Sequence, residues 1–133
     1  DRYVDGWGSC DDFCSHAFGS LILQYPALIP NVMEWTGSDN RWFRRAAAVV
    51  MLYSIRRGEH VDAAFQIADR LLLDEDDLVQ KGYGWLLKEI GKRVDPMRVF
   101  EYVMAHKDTM PRTALRYAIE KLDPELRKRA MEK

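Results

Sequence analysis

The sequence predicts an all-α protein, a right-handed α-solenoid built of antiparallel helix pairs. Apolar residues recur at helical spacing along the chain, and no stretch alternates with a period of two for long enough to form a sheet. Asp, Ser, Pro and Gly mark helix ends at short intervals. Related helical segments also return after about 35 residues, a period typical of stacked helix pairs. An array of this kind is expected to curve and to offer a concave face to a long ligand.

The predicted helices follow one another with short breaks. Ser9 is a good N-cap for a first helix that reaches about Tyr25. Ser38 and Asp39 precede a long helix, and Gly58 closes it. A proline directly after an aspartate predicts two further helix starts, at residues 96 and 124. The helices after the first are expected at residues 27–35, 40–57, 61–73, 76–92, 96–106, 111–122 and 124–131.

Two alignments within the chain support the repeat. Residues 43–49 align with 79–85 at an offset of 36, and residues 83–86 align with 117–120 at an offset of 34. Small residues lie in the middle of these helices, where they allow close helix approach. A glycine inside a helix costs about 1 kcal/mol relative to alanine, so the glycines near Trp85 need a packing or a ligand reason.

Composition sets limits on the function. The chain has 133 residues, of which 47% are hydrophobic, enough for one domain with a continuous core. Its 20 basic and 21 acidic residues give a net charge of −1, which argues against nucleic-acid binding unless the positive charge is clustered. The chain begins at Asp1 in an already helical pattern. We therefore expect residues 1–133 to be one repeat domain, the C-terminal part of a longer array.

Neither the cysteines nor the apolar run predicts a special environment. Cys10 and Cys14 are four residues apart, a spacing that favours reduced thiols in a cytoplasmic protein over a disulfide. With His16 they lack a visible fourth zinc ligand, so no metal site is predicted. The uncharged run of residues 13–33 contains Pro26 and Pro30, which favour two buried helices over a membrane span.

Four ordered blocks resemble the AlkD-like DNA alkylation repair family. Residues 35–47, WTGSDNRWFRRAA, resemble its W-x-x-S-x-x-x-W-x-R-R-x-A motif, and residues 79–92, VQKGYGWLLKEIGK, resemble its V-Q-K-x-x-G-W-x-L block. Residues 110–122, MPRTALRYAIEKL, are similar to its terminal block. Residues 7–11, WGSCD, are similar to its W-D-x-x-D motif, with Gly8 in place of the first aspartate. This departure affects a supporting contact of the motif, whereas the last aspartate of the motif is present as Asp11.

The resemblance implies HEAT-like repeats, an alpha–alpha superhelix wrapped on double-stranded DNA. It also implies excision of cationic N3- or N7-alkylated purines by a monomer that needs no cofactor and no metal. The catalytic aspartate matches Asp11, and the tryptophans of the site match Trp7 and Trp85. The basic residue of R-R-x-A matches Arg45, with Arg44 as the weaker alternative.

Further cations are expected to recur along one surface, about one per repeat, where they would contact phosphates. The predicted DNA-binding residues are Arg44, Lys81, Lys88, Arg112 and Arg116.

Ordinary structural roles remain open for the same side chains. Tryptophans anchor helical cores, paired arginines form salt bridges within a stack, and an aspartate such as Asp11 stabilises a first helical turn. The functional alternative to a glycosylase is a HEAT-like protein that binds DNA without chemistry, and a scaffold for protein assembly comes third.

Overall fold

A computed structural model describes residues 13–132, and this part of the chain is helical without any strand. It begins with a π-helical turn, Phe13–Phe18, and a 3-10 turn, Pro26–Leu28, follows the first α-helix. The α-helices are α1 Gly19–Gln24, α2 Ile29–Trp35, α3 Arg41–Val49, α4 Leu52–Ile55, α5 Val61–Leu71, α6 Asp77–Arg93, α7 Pro96–His106, α8 Arg112–Ala118 and α9 Pro124–Met131. The prediction of an all-α fold is confirmed over the described residues.

Side-chain caps explain where several of these helices begin. The Asn40 side chain accepts a hydrogen bond from the backbone of the first turn of α3 at 2.8 Å, and Asp76 does the same for α6 at 2.9 Å. Asp95 accepts two such bonds ahead of Pro96, as predicted. Gly58 adopts φ of 73° just after the second half of the long helix, the left-handed conformation that glycine tolerates best.

The structure corrects three predicted helix bounds. The helix expected at residues 40–57 is divided into α3 and α4 by a turn at Val50 and Met51, where the Met51 amide bonds three residues back to Ala48 at 3.2 Å. The helix expected at 111–122 ends at Ala118. The first predicted helix is broken into a π-helical turn and α1, and its start near Ser9 lies outside the described residues.

The helices α3, α4, α6 and α8 form one layer, which we call the inner layer. Among the described helices, the contact between α6 and α8 is the most extensive, and that between α3 and α6 comes next. Contacting side chains lie at nearly constant separations in sequence, 35 residues for Arg41 and Asp76 and 32 residues for Lys88 and Glu120. A constant separation means that neighbouring helices of this layer run parallel and in register.

Glycines allow these helices to approach at backbone distance. A Cβ atom on Gly84 would lie 2.7 Å from Tyr117 Cβ and 3.0 Å from the Ala114 carbonyl oxygen. A Cβ atom on Gly19 would lie 2.5 Å from Tyr53 Cβ in the same manner. The reason for the helical glycine at position 84 is therefore packing.

The helices α5 and α7 form an outer layer that is joined differently. Their backbones make few close contacts, and long side chains bridge them. Arg98 of α7 pairs with Asp62 of α5, and the Tyr102 hydroxyl donates to Asp69 at 2.7 Å. The His106 ring stacks on Tyr102 at 4.2 Å. Burial, followed by the hydrogen bond and charge of Asp69, raises the pKa of Tyr102.

Apolar side chains fill the space between the layers. Leu86, Leu87 and Ile90 of α6 are fully buried there, together with Ile67 of α5 and Val103 of α7. Each helix of residues 13–132 is too short or too polar to cross a bilayer.

Candidate functional site

Arg45 is the most deeply buried of the predicted site residues that the structure describes. It lies on α3 with only 2% of its surface exposed. Its Nη1 donates a hydrogen bond to the Leu78 carbonyl oxygen at 2.8 Å, and its Cζ lies 5.9 Å from the centre of the Trp85 ring. Burying a charge is costly unless it is paired and hydrogen-bonded, so this position of the guanidinium is a specific feature of the fold.

Gly82 makes room for this arginine. A Cβ atom there would lie 3.1 Å from Arg45 Cγ and 3.4 Å from its Nη1. Trp85 follows three residues later on α6 and is half-buried. The inner layer therefore holds an arginine between α3 and α6, with a glycine beside it and an indole ring near its charged end.

Arg44, the neighbouring residue, points elsewhere. Its Nε lies 2.8 Å from Asp74 Oδ2, and its Nη1 donates to the Ser38 carbonyl oxygen at 2.9 Å. Both side chains of the ion pair are largely buried, at 20% and 13% exposure. Of the two arginines that the motif left open, Arg45 is the one that the structure places beside Trp85.

One partly exposed face of α6 carries the two predicted lysines on either side of Trp85. Lys81, Trp85 and Lys88 lie four and three residues apart, so they share a side of the helix. Lys81 Nζ is 2.9 Å from Asp77, whose hydrogen bond and charge are the main reasons that the pKa of Lys81 is raised. Lys88 Nζ is 3.2 Å from Glu120 of α8. We call Lys81, Trp85 and Lys88 the α6 face.

The two predicted arginines of α8, Arg112 and Arg116, are exposed, and Arg112 contacts α9 instead of the α6 face. Arg112 Nη1 lies 4.0 Å from Met131 Sδ on α9. Arg116 precedes Tyr117, the residue that contacts α6.

The remaining predicted site residues, Trp7 and Asp11, lie outside the described residues together with Gly8 and Cys10. Of the four predicted catalytic residues, the structure describes Arg45 and Trp85 and brings these two together. Among the side chains that the structure describes, those of residues 16–132, no three of the metal-binding types come together.

Two residues near the site were missed in the sequence. Tyr117 lies 5.6 Å from Lys88 Nζ, measured to the ring centre. Glu89, one turn beyond Trp85, is 6% exposed and lies 3.6 Å from Arg56 Nε, so it links α6 to the end of α4. Both residues belong to the recognised blocks, and a tyrosine 33 residues after Gly84, close to the repeat period, was the signal for Tyr117.

A family model described as "DNA alkylation repair enzyme" matches residues 2–122. Among curated proteins, no sequence matches the chain. The matched range contains Arg45, Trp85 and the α6 lysines, and it confirms the resemblance on which the site was predicted. The chain therefore belongs to the DNA alkylation repair enzyme family.

Proposed function

We propose that this protein is a monofunctional DNA glycosylase that removes cationic N3- and N7-alkylated purines from double-stranded DNA. Membership of the family implies a role in DNA alkylation repair with DNA as partner. The observation that carries the finer proposal is the buried guanidinium of Arg45 against Trp85, next to two lysines on the α6 face.

The proposed reaction requires few catalytic groups. A purine alkylated at N3 or N7 is already cationic, so it leaves as a neutral base and needs no general acid. The developing oxocarbenium-like sugar needs an opposing charge, and the attacking water needs a proton acceptor. In this proposal the Asp11 carboxylate supplies both. Trp7 and Trp85 supply aromatic faces for the cationic nucleotide, which typically contribute about 0.5–2 kcal/mol each. Hydrolysis by water requires no lysine nucleophile, cofactor or metal.

We also propose that the helices form a right-handed solenoid of HEAT-like repeats with the inner layer on its concave side. Close backbone packing from α3 to α6 to α8, together with wider spacing between α5 and α7, supports a bend toward the inner layer. The α6 face would then lie on the concave surface, where a duplex binds.

Release of 7-methylguanine from methylated duplex DNA tests the enzyme. Asp11→Asn is expected to abolish release while the affinity for DNA survives. Arg45→Ala is expected to lower the rate by about 100-fold, the usual cost of one preorganised charge contact. Arg44→Ala is the comparison that separates the two arginines of the motif, because Arg44 is paired with Asp74 and Arg45 lies against Trp85. Undiminished excision by the Asp11 variant would contradict the proposal.

A DNA-binding protein without catalysis is the second candidate. The lysines of the α6 face favour it, since cations on one helix face can contact phosphates without any chemistry, and Arg45 would then serve to join α3 to α6. This candidate predicts salt-sensitive binding to DNA with no base release by the unmutated protein.

A further inference from the structure

Tyr117 is a partly exposed aromatic residue beside the α6 face that the proposed chemistry does not use. Its ring centre lies 5.6 Å from Lys88 Nζ. The Cβ atom of Tyr117 packs directly on Gly84 of α6, so the base of the tyrosine side chain is fixed against that helix. The ring therefore lies next to Lys88, three residues beyond Trp85 on α6.

Two partly exposed aromatic rings and two ammonium groups therefore lie on α6 and the helix packed beside it, α8. Trp85 comes from α6 and Tyr117 from the next helix of the inner layer. Aromatic rings next to cations are the combination by which proteins hold a nucleic-acid strand without reading its sequence, with rings against bases or sugars and cations against phosphates.

Both lysines are available to an incoming phosphate. Their carboxylate partners are well exposed, Asp77 at 60% and Glu120 at 51%. Exposed ion pairs contribute little to stability, so a phosphate can replace these carboxylates at small cost. Lys88 and Arg44 are similarly buried, at 21% and 20% exposure, but the carboxylate that pairs with Arg44 is itself buried, with Asp74 at 13%.

We propose that Tyr117 is a DNA-binding residue that packs its ring against the nucleotide next to the lesion, while Lys81 and Lys88 take the adjoining phosphates. The inference rests on the proposed function for the position of the lesion at Trp85. Tyr117 would contribute to affinity and to the KM, whereas the rate of bond cleavage would depend on other residues.

Tyr117→Leu tests the role of the ring and keeps the aliphatic packing on Gly84. The probe is a duplex with a tetrahydrofuran abasic-site analogue, which binds without being cleaved. We expect a Kd about tenfold higher, the loss typical of one base–aromatic stack, with a similar rise in KM and kcat changed less than about twofold. Tyr117→Phe retains the ring and is expected to stay within about twofold of the unmutated Kd.

Tyr53→Leu is the matched control. Tyr53 is packed on Gly19 as Tyr117 is packed on Gly84, and Arg57 covers its ring at 3.6 Å. The cation over its ring is Arg57 and not a lysine of the α6 face. An unchanged Kd for Tyr117→Leu, or an equal loss for Tyr53→Leu, would overturn the inference.

A second variant decides the matter if Tyr117→Leu fails to fold. Glu120→Gln frees Lys88, and we expect binding about two- to threefold tighter in low salt, the size of effect usual for an exposed ion pair. Glu125→Gln, on exposed α9, makes the same charge change away from Lys88. Equal affinity of the two variants would contradict the proposal. Because the probe is not cleaved, its Kd can be measured even for a protein that releases no 7-methylguanine, so failure of the glycosylase proposal and failure of the Tyr117 inference are distinguishable.

Discussion

The inner and outer layers are held together in different ways. In the inner layer, α6 contacts α8 through Gly84. Any side chain at this position would displace Tyr117 or the Ala114 backbone. In the outer layer, α5 meets α7 through the ends of long side chains such as Arg98 and Asp62. Backbone contact allows one register between helices, whereas flexible charged side chains accommodate small shifts. The proposed site lies in the layer that allows one register.

The contrast explains why the candidate site residues lie where they do. Arg45 passes close beside Gly82, and Tyr117 rests on Gly84, so two glycines of α6 set the distance to α3 on one side and to α8 on the other. Preorganised sites require positions accurate to about half an ångström. Packing of this kind provides such accuracy, while an exposed ion pair does not.

The largest effect is expected for Gly84→Ala. The new methyl group would lie 2.7 Å from Tyr117 Cβ and 3.0 Å from a backbone oxygen, so α6 and α8 must separate. Overpacking costs about 1–3 kcal/mol and exceeds the gain of about 1 kcal/mol in helix propensity. We expect a net loss of about 1–2 kcal/mol in the free energy of unfolding, measured by urea denaturation. Gly37→Ala, where the nearest atom is 3.8 Å away, serves as the control.

An intermediate effect is expected for Tyr102→Phe in the outer layer. The variant loses the hydrogen bond to Asp69 and about 1 kcal/mol at neutral pH. The raised pKa of Tyr102 means that the folded state holds this proton more tightly than the unfolded chain. The contribution of the Tyr102 hydroxyl to the stability of the folded state is therefore complete below the ordinary tyrosine pKa of about 10. It declines as the pH rises above that value.

The difference in the free energy of unfolding between the unmutated protein and Tyr102→Phe should therefore become smaller above about pH 10. Urea denaturation between neutral and alkaline pH measures it, with exposed Tyr25→Phe as the control. A gap that stays constant across this range would show that the hydroxyl titrates alike in both states.

The smallest effect is expected for Asp62→Asn. Arg98 and Asp62 are 44% and 82% exposed at their side chains, and exposed pairs contribute about 0–1 kcal/mol. We expect a loss below about 0.5 kcal/mol that vanishes in high salt. A loss as large as that of Gly84→Ala would mean that the outer layer holds the helices in register as firmly as the inner one.

The sequence predicted those features that depend on local chemistry. Asp95 before Pro96 marked the start of α7, and Gly58 marked the end of the long helical segment, because caps and left-handed glycines act within one turn. The motif blocks also placed Arg45 and Trp85 in one site. The turn at Val50 and Met51 could not be foreseen, since both residues are apolar and fully buried and neither glycine nor proline marks the break.

The partners of charged side chains were harder to predict than the helices. Arg44 and Arg45 are adjacent in one motif, yet one pairs with Asp74 and the other lies against Trp85. Which neighbour each meets depends on the register between helices about 35 residues apart. Repeat alignment gave that register only to within about one turn, and a shift of one turn changes the partner. Tyr117 was missed for the same reason.

The ion pairs of Lys81 with Asp77 and of Lys88 with Glu120 have a consequence for how the protein responds to salt. A lysine that leaves a carboxylate for a phosphate exchanges one anion for another, so fewer free ions are taken up or released than the count of contacts implies. In a chain with a net charge of −1, the carboxylates of Asp77 and Glu120 thus act as the counterions of these lysines before DNA binds. The logarithm of its binding constant should then fall with the logarithm of salt concentration less steeply than two bare lysines would require.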